Sequence, residues 1–340
     1  MTHIRTSNAL LKAGFIEEDK LEAITAVTKK FSVSLTPQII EAIHSGSPED
    51  RRVMQKQFVP SIEELNESSS ELSDPIGDKP HEAVRGVVHR YPDRCLLMPI
   101  EACPVYCRFC FRRENVGKKK QALTEEELRQ AFCYIREHPE IWEVILSGGD
   151  PLILKPKTVG EILAELENIP HVDVIRIHTR VPIVDSLRIT KEMVQALKIS
   201  KAVYVIVHVN HPSEFSEPVK QACASLVDAG IPMLSQTVLL KDINDTPEVM
   251  GALMRTLVKN RIKPYYLHQG DLAKGTSHFR TSIKKGQALM KALRGHYSGL
   301  CQPTYMLDIP GGHGKIPIEP SRTYDTVQDY QGNLHEYPDS

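Results

Sequence analysis

Apolar residues fall into two alternating patterns over most of the chain. Short runs at CLLMPIEA (95–102), VILSGG (144–149), VDVIRIHT (172–179), AVYVIVHV (202–209), MLSQTVLL (233–240) and PYYLHQ (264–269) read as buried strands. Between them, apolar residues recur at helical spacing in TEEELRQAFCYIREH (124–138), TVGEILAELENI (158–169), TKEMVQALKI (190–199), EPVKQACASLVDAG (217–230) and PEVMGALMRTLVKN (247–260). Strand-helix alternation predicts a parallel sheet with right-handed crossovers, and six such repeats suggest a partial (β/α)6 barrel of the TIM type. Functional side chains should then gather at the C-terminal ends of its strands.

The ends of the chain are patterned differently. Residues 1 to about 85 alternate short amphipathic stretches with polar breaks, and in LTPQIIEAIHSG Thr36 is placed to cap a helix that Pro37 opens. The segment IEELNESSSELSDPIGDKPHE (62–82) is acidic and turn-rich, which predicts an exposed connection. The expected organisation is a helical N-terminal region (1–85), a barrel (86–270) and a C-terminal segment (271–340). The pattern in that last segment, TYMLDIPGGHGKIPIEP and the polar tail SRTYDTVQDYQGNLHEYPDS, does not define a fold.

Composition narrows the class only modestly. The 340 residues are 41% apolar and 25% charged with a formal net charge of −1, an ordinary globular balance that gives no reason to expect nucleic acid. No apolar run reaches the length of a membrane span and the first residues lack a signal-peptide core, so a cytoplasmic location is expected. Seven cysteines, an odd number without an export signal, argue against a disulfide framework.

Three of those cysteines do change the picture. CPVYCRFCFRR puts Cys103, Cys107 and Cys110 on one loop after the first predicted strand. Thiolates at that spacing suit three irons of a [4Fe-4S] cubane and leave the fourth iron open to S-adenosylmethionine, from which one-electron reduction releases a 5′-deoxyadenosyl radical. The alternative is a structural zinc site with a distant histidine, although zinc motifs usually pair their cysteines. Gly-Gly-His-Gly-Lys (311–315) sets Lys315 where it could form a Schiff base with pyridoxal phosphate. It can also pass for a phosphate loop, but Ile316 breaks the nucleotide-binding pattern.

The cysteine spacing, with Tyr106 before the second cysteine and Phe109 before the third, resembles the radical-SAM superfamily motif. HRYPDR (89–94), CRFCFRR (107–113), LSGGDPL (146–152), HFRTS (278–282), RGHYSG (294–299) and DIPGGHGK (308–315) narrow the resemblance to the lysine 2,3-aminomutase family, including the branch that supplies β-lysine for modification of elongation factor P. The resemblance covers roughly residues 80 to 320. It implies an isomerase that moves the 2-amino group of L-lysine to carbon 3, with relatives acting on glutamate or arginine as the alternative. Gly148, Gly149, Asp150, His208 and Gln236 would contact S-adenosylmethionine; as isolated residues they would read as a turn and as core polar groups.

By the same resemblance Lys315 carries pyridoxal phosphate, with Arg90, Tyr91 and Arg94 around its phosphate, although His313 interrupts the family's glycine run. Arg112 would pair with the substrate carboxylate, and Asp271 and Asp308 with the terminal amine of lysine, an acidic pair that disfavours glutamate. A flavodoxin or ferredoxin as electron donor and a homo-oligomer are also implied. Clostridial-type members carry a zinc site that includes a barrel cysteine. This chain has Thr246 there and no cysteine beyond Cys301, so no zinc is expected, and Cys95, Cys133, Cys223 and Cys301 read as small buried residues.

Overall fold

A computed structural model describes residues 2–117, 122–318, 326–328 and 333–336. Most of the tail from 319 onward lies outside the described residues, apart from the short strands β11 (Thr326–Gln328) and β12 (Leu334–Glu336), which pair with each other.

All six predicted strands form, as β3 (Arg94–Ile100), β4 (Glu143–Gly148), β5 (Val174–Thr179), β6 (Ala202–His208), β7 (Met233–Val238) and β8 (Ile262–His268). They pair in parallel in chain order, and a seventh parallel strand, β9 (Thr304–Asp308), joins β8. Antiparallel strands flank this wall: β1 (Glu82–Val84) and β2 (Val87–Tyr91) before β3, and β10 (Lys315–Pro317) after β9. The ten-stranded sheet runs from β1 to β10 without closing, an open barrel of parallel strands. The helices α5 (Glu125–Glu137), α6 (Pro156–Glu167), α7 (Val181–Val184), α8 (Lys191–Ala196), α9 (Glu217–Asp228), α10 (Pro247–Lys259) and α11 (Ile283–Leu293) connect the strands. Thr246 caps α10 by accepting the Val249 N–H.

Four helices precede the sheet: α1 (Ser7–Lys12), α2 (Leu21–Lys30), α3 (Pro37–Ser45) and α4 (Pro48–Phe58). Thr36 caps α3 and Pro37 opens it, as the sequence predicts. The same Thr36 hydroxyl donates to the Val184 carbonyl at 2.5 Å, fastening this region to the barrel.

Most residues of the segment at 62–82 are exposed, as its polarity suggests, but Glu64 and Glu71 are buried. The segment is a strap whose carboxylates turn inward onto arginines of the barrel. Glu64 has 0% exposure and receives Arg108 through Nε (2.9 Å) and Nη2 (2.5 Å), together with Arg113. Burial alone would push the Glu64 carboxyl up, but the two guanidinium groups outweigh it and hold it below the ordinary carboxylate range. Glu71 pairs with Arg280 at 3.0 Å and accepts the Gly275 N–H, while Asp78 reaches Arg90 and Arg112. Cys133 also departs from expectation: it is half-buried on α5, whereas Cys95, Cys223 and Cys301 are buried.

The end of β4 is locked against the start of the cysteine loop. Gly149 N–H donates to the Ile100 carbonyl and Asp150 N–H to that of Ala102, at 2.7 and 2.9 Å. A Cβ on Gly149 would lie 2.1 Å from the Ala102 carbonyl oxygen, so only glycine permits this approach. The Asp150 carboxylate accepts from Leu152 N–H, Thr179 Oγ1, Arg180 N–H and Val181 N–H, which ties β4 to the end of β5.

Removing one partner of the Glu64 cluster leaves buried, uncompensated guanidinium groups. Glu64→Ala should lower unfolding stability by about 3–5 kcal/mol in anaerobic urea titrations. Glu126→Ala, which breaks an exposed ion pair on α5, should leave the midpoint unchanged.

Candidate active site

The cysteine loop leaves β3 and turns back on itself through Cys110 N–H to Cys107 O (3.2 Å) and Arg113 N–H to Cys110 O (3.3 Å). Arg108 and Arg113, interleaved with the cysteines, hold it from below through Glu64 and through the Ser32 and Gly275 carbonyls. All three thiols are free and half-buried. Burial pushes the Cys110 thiol up to about 11, with Cys107 adding to it; Cys103 is raised by burial, by Asp150 and by the other two cysteines. Buried thiols that repel one another as thiolates are relieved when metal replaces their protons. Among the described residues no three His, Cys, Asp or Glu side chains converge on one point in the ligand-free chain. A cubane takes each thiolate on a different iron and needs no such convergence.

The loop forms one wall of a cavity of about 330 Å³ at the C-terminal ends of the strands, and every one of the fifteen candidate residues lines it. Gly148, Gly149 and Asp150 follow β4. His208 ends β6 in register with Gln236 of β7. His208 is lowered to about 3 by burial, so its imidazole is neutral near pH 7.

The opposite wall is the β9–β10 hairpin, whose register pairs Asp308 with Lys315. Lys315 Nζ donates to Asp308 Oδ1 at 2.6 Å, and its backbone N–H donates to the Tyr91 hydroxyl at 2.8 Å. Gly311, Gly312 and Gly314 take φ of +85°, +86° and +87°, the left-handed turn that brings Lys315 back alongside Asp308. Asp271 faces the same space; burial, with Asp308 adding to it, pushes its carboxyl up to about 7. His268 Nδ1 lies 3.8 Å from Asp308 but is lowered by burial to about 3 and is neutral.

Arg112 donates through Nε to Asp78 Oδ2 at 2.7 Å and through Nη1 to Ser147 Oγ at 3.3 Å, while Arg90 Nη2 reaches Asp78 Oδ1 at 3.0 Å. Arg90 Nε is buried without a partner, a donor suited to an added anion. Arg94 lies over the Tyr91 ring at 3.9 Å.

Sequence reasoning missed Asp78, Ser147, His178, Arg180 and His268. Strand ends carried a signal for Ser147, His178 and His268, which lie near the C-terminal ends of β4, β5 and β8. Asp78 and Arg180 carried none, since a turn aspartate and a loop arginine read as solvated groups.

An open parallel barrel with a three-cysteine loop leaving its first parallel strand defines a radical SAM enzyme, and residues 97–252 match the model of the Radical SAM superfamily. Residues 290–336 match a second family model, described as Lysine-2,3-aminomutase. The L-lysine 2,3-aminomutase of Clostridium subterminale is 39% identical, with 98% of this chain and 81% of that protein covered. That of Fusobacterium nucleatum is 40% identical over 90% of this chain and 71% of its own. The glutamate 2,3-aminomutase of Clostridioides difficile is 37% identical over 95% and 76%. The chain belongs to the lysine 2,3-aminomutase family. It is a radical SAM aminomutase, an isomerase whose family implies a [4Fe-4S] cluster and S-adenosylmethionine. No helix among the described residues is long and apolar enough to cross a membrane.

The raised Asp271 carboxyl has a measurable consequence. Between its ordinary value of 3.8 and about 7, the folded chain keeps a proton that the unfolded chain has lost. This group's contribution to stability is therefore full below about pH 4 and is lost as pH rises to about 7. Asp271→Asn removes that slope, so the variant's Tm should fall less than the parent's between those pH values in scanning calorimetry of the ligand-free protein.

Proposed function

We propose that this enzyme binds L-lysine and pyridoxal phosphate in the cavity and moves the 2-amino group to carbon 3, giving β-lysine. The observation that carries this reading is the gathering, in one cavity, of the cysteine loop, Lys315, Arg90, Arg94, Arg112, Asp271 and Asp308. Together the cofactors supply a carbon radical able to take an unactivated hydrogen and a conjugated ring that stabilises the radical beside the migrating nitrogen. The chain binds, orients and excludes water.

Cys103, Cys107 and Cys110 would hold the cluster. Gly148 and Gly149 would present backbone to S-adenosylmethionine, with His208 as a neutral imidazole and Gln236 beside it. Because the carboxylate of Asp150 already accepts four protein hydrogen bonds, its part is to fix that backbone. Lys315 would carry pyridoxal phosphate, and the unpartnered Arg90 Nε supports a phosphate beside Arg90, Tyr91 and Arg94. Arg112, held by Asp78 and Ser147, would take the substrate carboxylate.

Asp271 and Asp308 would take the side-chain ammonium. A substrate ending in a carboxylate would add a negative charge beside Asp308 in the same buried space, which favours lysine over glutamate. Lys315 Nζ and the substrate ammonium then use Asp308 in turn.

In this reading residues 86–270 carry the radical chemistry, 271–340 the pyridoxal and substrate groups, and 1–85 the helical support. A flavodoxin or ferredoxin in the cytoplasm would supply the electron, and the enzyme would work as a homo-oligomer. Modification of elongation factor P, osmolyte synthesis and lysine catabolism are the uses open to the β-lysine.

The test is anaerobic turnover of reconstituted enzyme with dithionite, S-adenosylmethionine, pyridoxal phosphate and L-lysine, read by chiral chromatography. The expected product is β-lysine that depends on every cofactor, and its enantiomer reports the branch. Cleavage of S-adenosylmethionine without β-lysine would overturn the substrate. Lys315→Ala should abolish pyridoxal absorbance while leaving iron content unchanged. Asp271→Asn and Asp308→Asn should each raise KM for lysine at least roughly 30-fold, from about 2–5 kcal/mol for a lost buried charge pair.

A further inference from the structure

The backbone of Arg180 ties the end of β5 to Asp150, but nothing in that role requires its side chain. The guanidinium is nonetheless buried and held from several sides. Nη2 donates to Glu214 Oε2 at 2.6 Å and to Gln57 Oε1 at 2.8 Å, and the group lies over the Phe58 ring at 4.6 Å. Neither partner is free to move. Glu214 Oε1 accepts the N–H groups of Asn210 and His211, both at 2.8 Å, and the Gln57 carbonyl accepts the N–H of Arg108 from the cysteine loop at 2.9 Å. This scaffold points Nη1 at Cys107 Sγ, 2.7 Å away.

We propose that Arg180 is a positioning residue that donates to the Cys107 thiolate and raises the reduction potential of the [4Fe-4S] cluster those cysteines hold. The proposal rests on the cluster reading above. Hydrogen bonds and positive charge at a ligating sulfur withdraw electron density from the cluster and stabilise its reduced form, and burial strengthens both effects. Glu214 lies behind the guanidinium, so the sulfur meets the cationic end of the pair. The arrangement also gives the second cysteine a partner that neither Cys103 nor Cys110 has from Arg180.

The experiment is an anaerobic redox titration of the reconstituted enzyme without substrate, read by electron paramagnetic resonance, with iron and sulfide counted per chain. Arg180→Gln should retain iron while its midpoint moves negative. At fixed potential the ratio of reduced to oxidised cluster should fall about tenfold, equivalent to 59 mV for one electron. Arg180→Lys, which keeps the charge but not the fork, should recover part of that shift. Glu214→Gln keeps an acceptor for the two N–H groups but removes the countercharge, so its midpoint should move positive. Opposite signs for the Arg180 and Glu214 variants support the proposal. A midpoint unchanged in Arg180→Gln at full iron, or a Glu214→Gln shift that is absent or negative, overturns it; if Arg180→Gln retains no iron, the Glu214→Gln shift alone decides. A parent protein that assembles no iron and sulfide would instead overturn the cluster reading itself.

Discussion

The Glu64 carboxylate, with no exposed surface of its own, is answered by two guanidinium groups from the cysteine loop, and the active site depends on that contact. Arg108 and Arg113 alternate with Cys107 and Cys110, so fixing the arginines fixes which way the thiols face. Three thiols proposed to share one cluster cannot be left to a loop that samples many conformations. Ordering the loop costs on the order of 1–2 kcal/mol per residue in backbone entropy, and buried ion pairs with well-defined geometry supply the constraint before any metal arrives. An apolar cluster of similar volume would stabilise as much. It would not dictate loop direction.

The same device recurs along the strap. Glu71 meets Arg280 from the far side of the barrel, and Asp78 bridges Arg90 and Arg112 on the cavity wall. Each carboxylate leaves a local stretch of chain and closes onto a cation distant in sequence. The strap therefore joins the cysteine loop, the region beyond β8 and the proposed phosphate and carboxylate sites. Asp78 lies below the ordinary carboxylate range because Arg112 and then Arg90 outweigh its burial, and it holds both side chains in place through hydrogen bonds.

The parallel wall was legible because the lengths of β3 to β8 and their apolar composition leave few alternatives, and the candidate residues were legible because they stand beside those strand ends or in motifs. The strap was not. Glu64, Glu71 and Asp78 sit among serines, an asparagine and prolines, where acidity signals exposure, and only the positions of Arg108, Arg113, Arg280 and Arg112 in space reverse that inference. β9 was obscured because TYMLD is short and leads into a glycine turn. Arg180 was hidden for a different reason: its partners Gln57, Glu214 and Cys107 come from three separate stretches of chain, and no local pattern encodes a three-way meeting.

Charge placement across the cavity suits the proposed reaction, in which one amine is held as a cation and another is used as a neutral nucleophile. His208 and His268 stay neutral through burial, so they add no positive charge to repel an ammonium. Asp271 keeps its proton to about pH 7 because burial, with Asp308 adding to it, outweighs Lys315 and Arg112. A second ammonium near Asp271 and Asp308 would favour release of that proton, so that two carboxylates would face two amines only when both are present. Before that moment Asp308 is already paired with Lys315. The acidic pair can therefore lie buried beside Lys315 without an uncompensated charge, and its second charge develops only with the cation it is placed to bind.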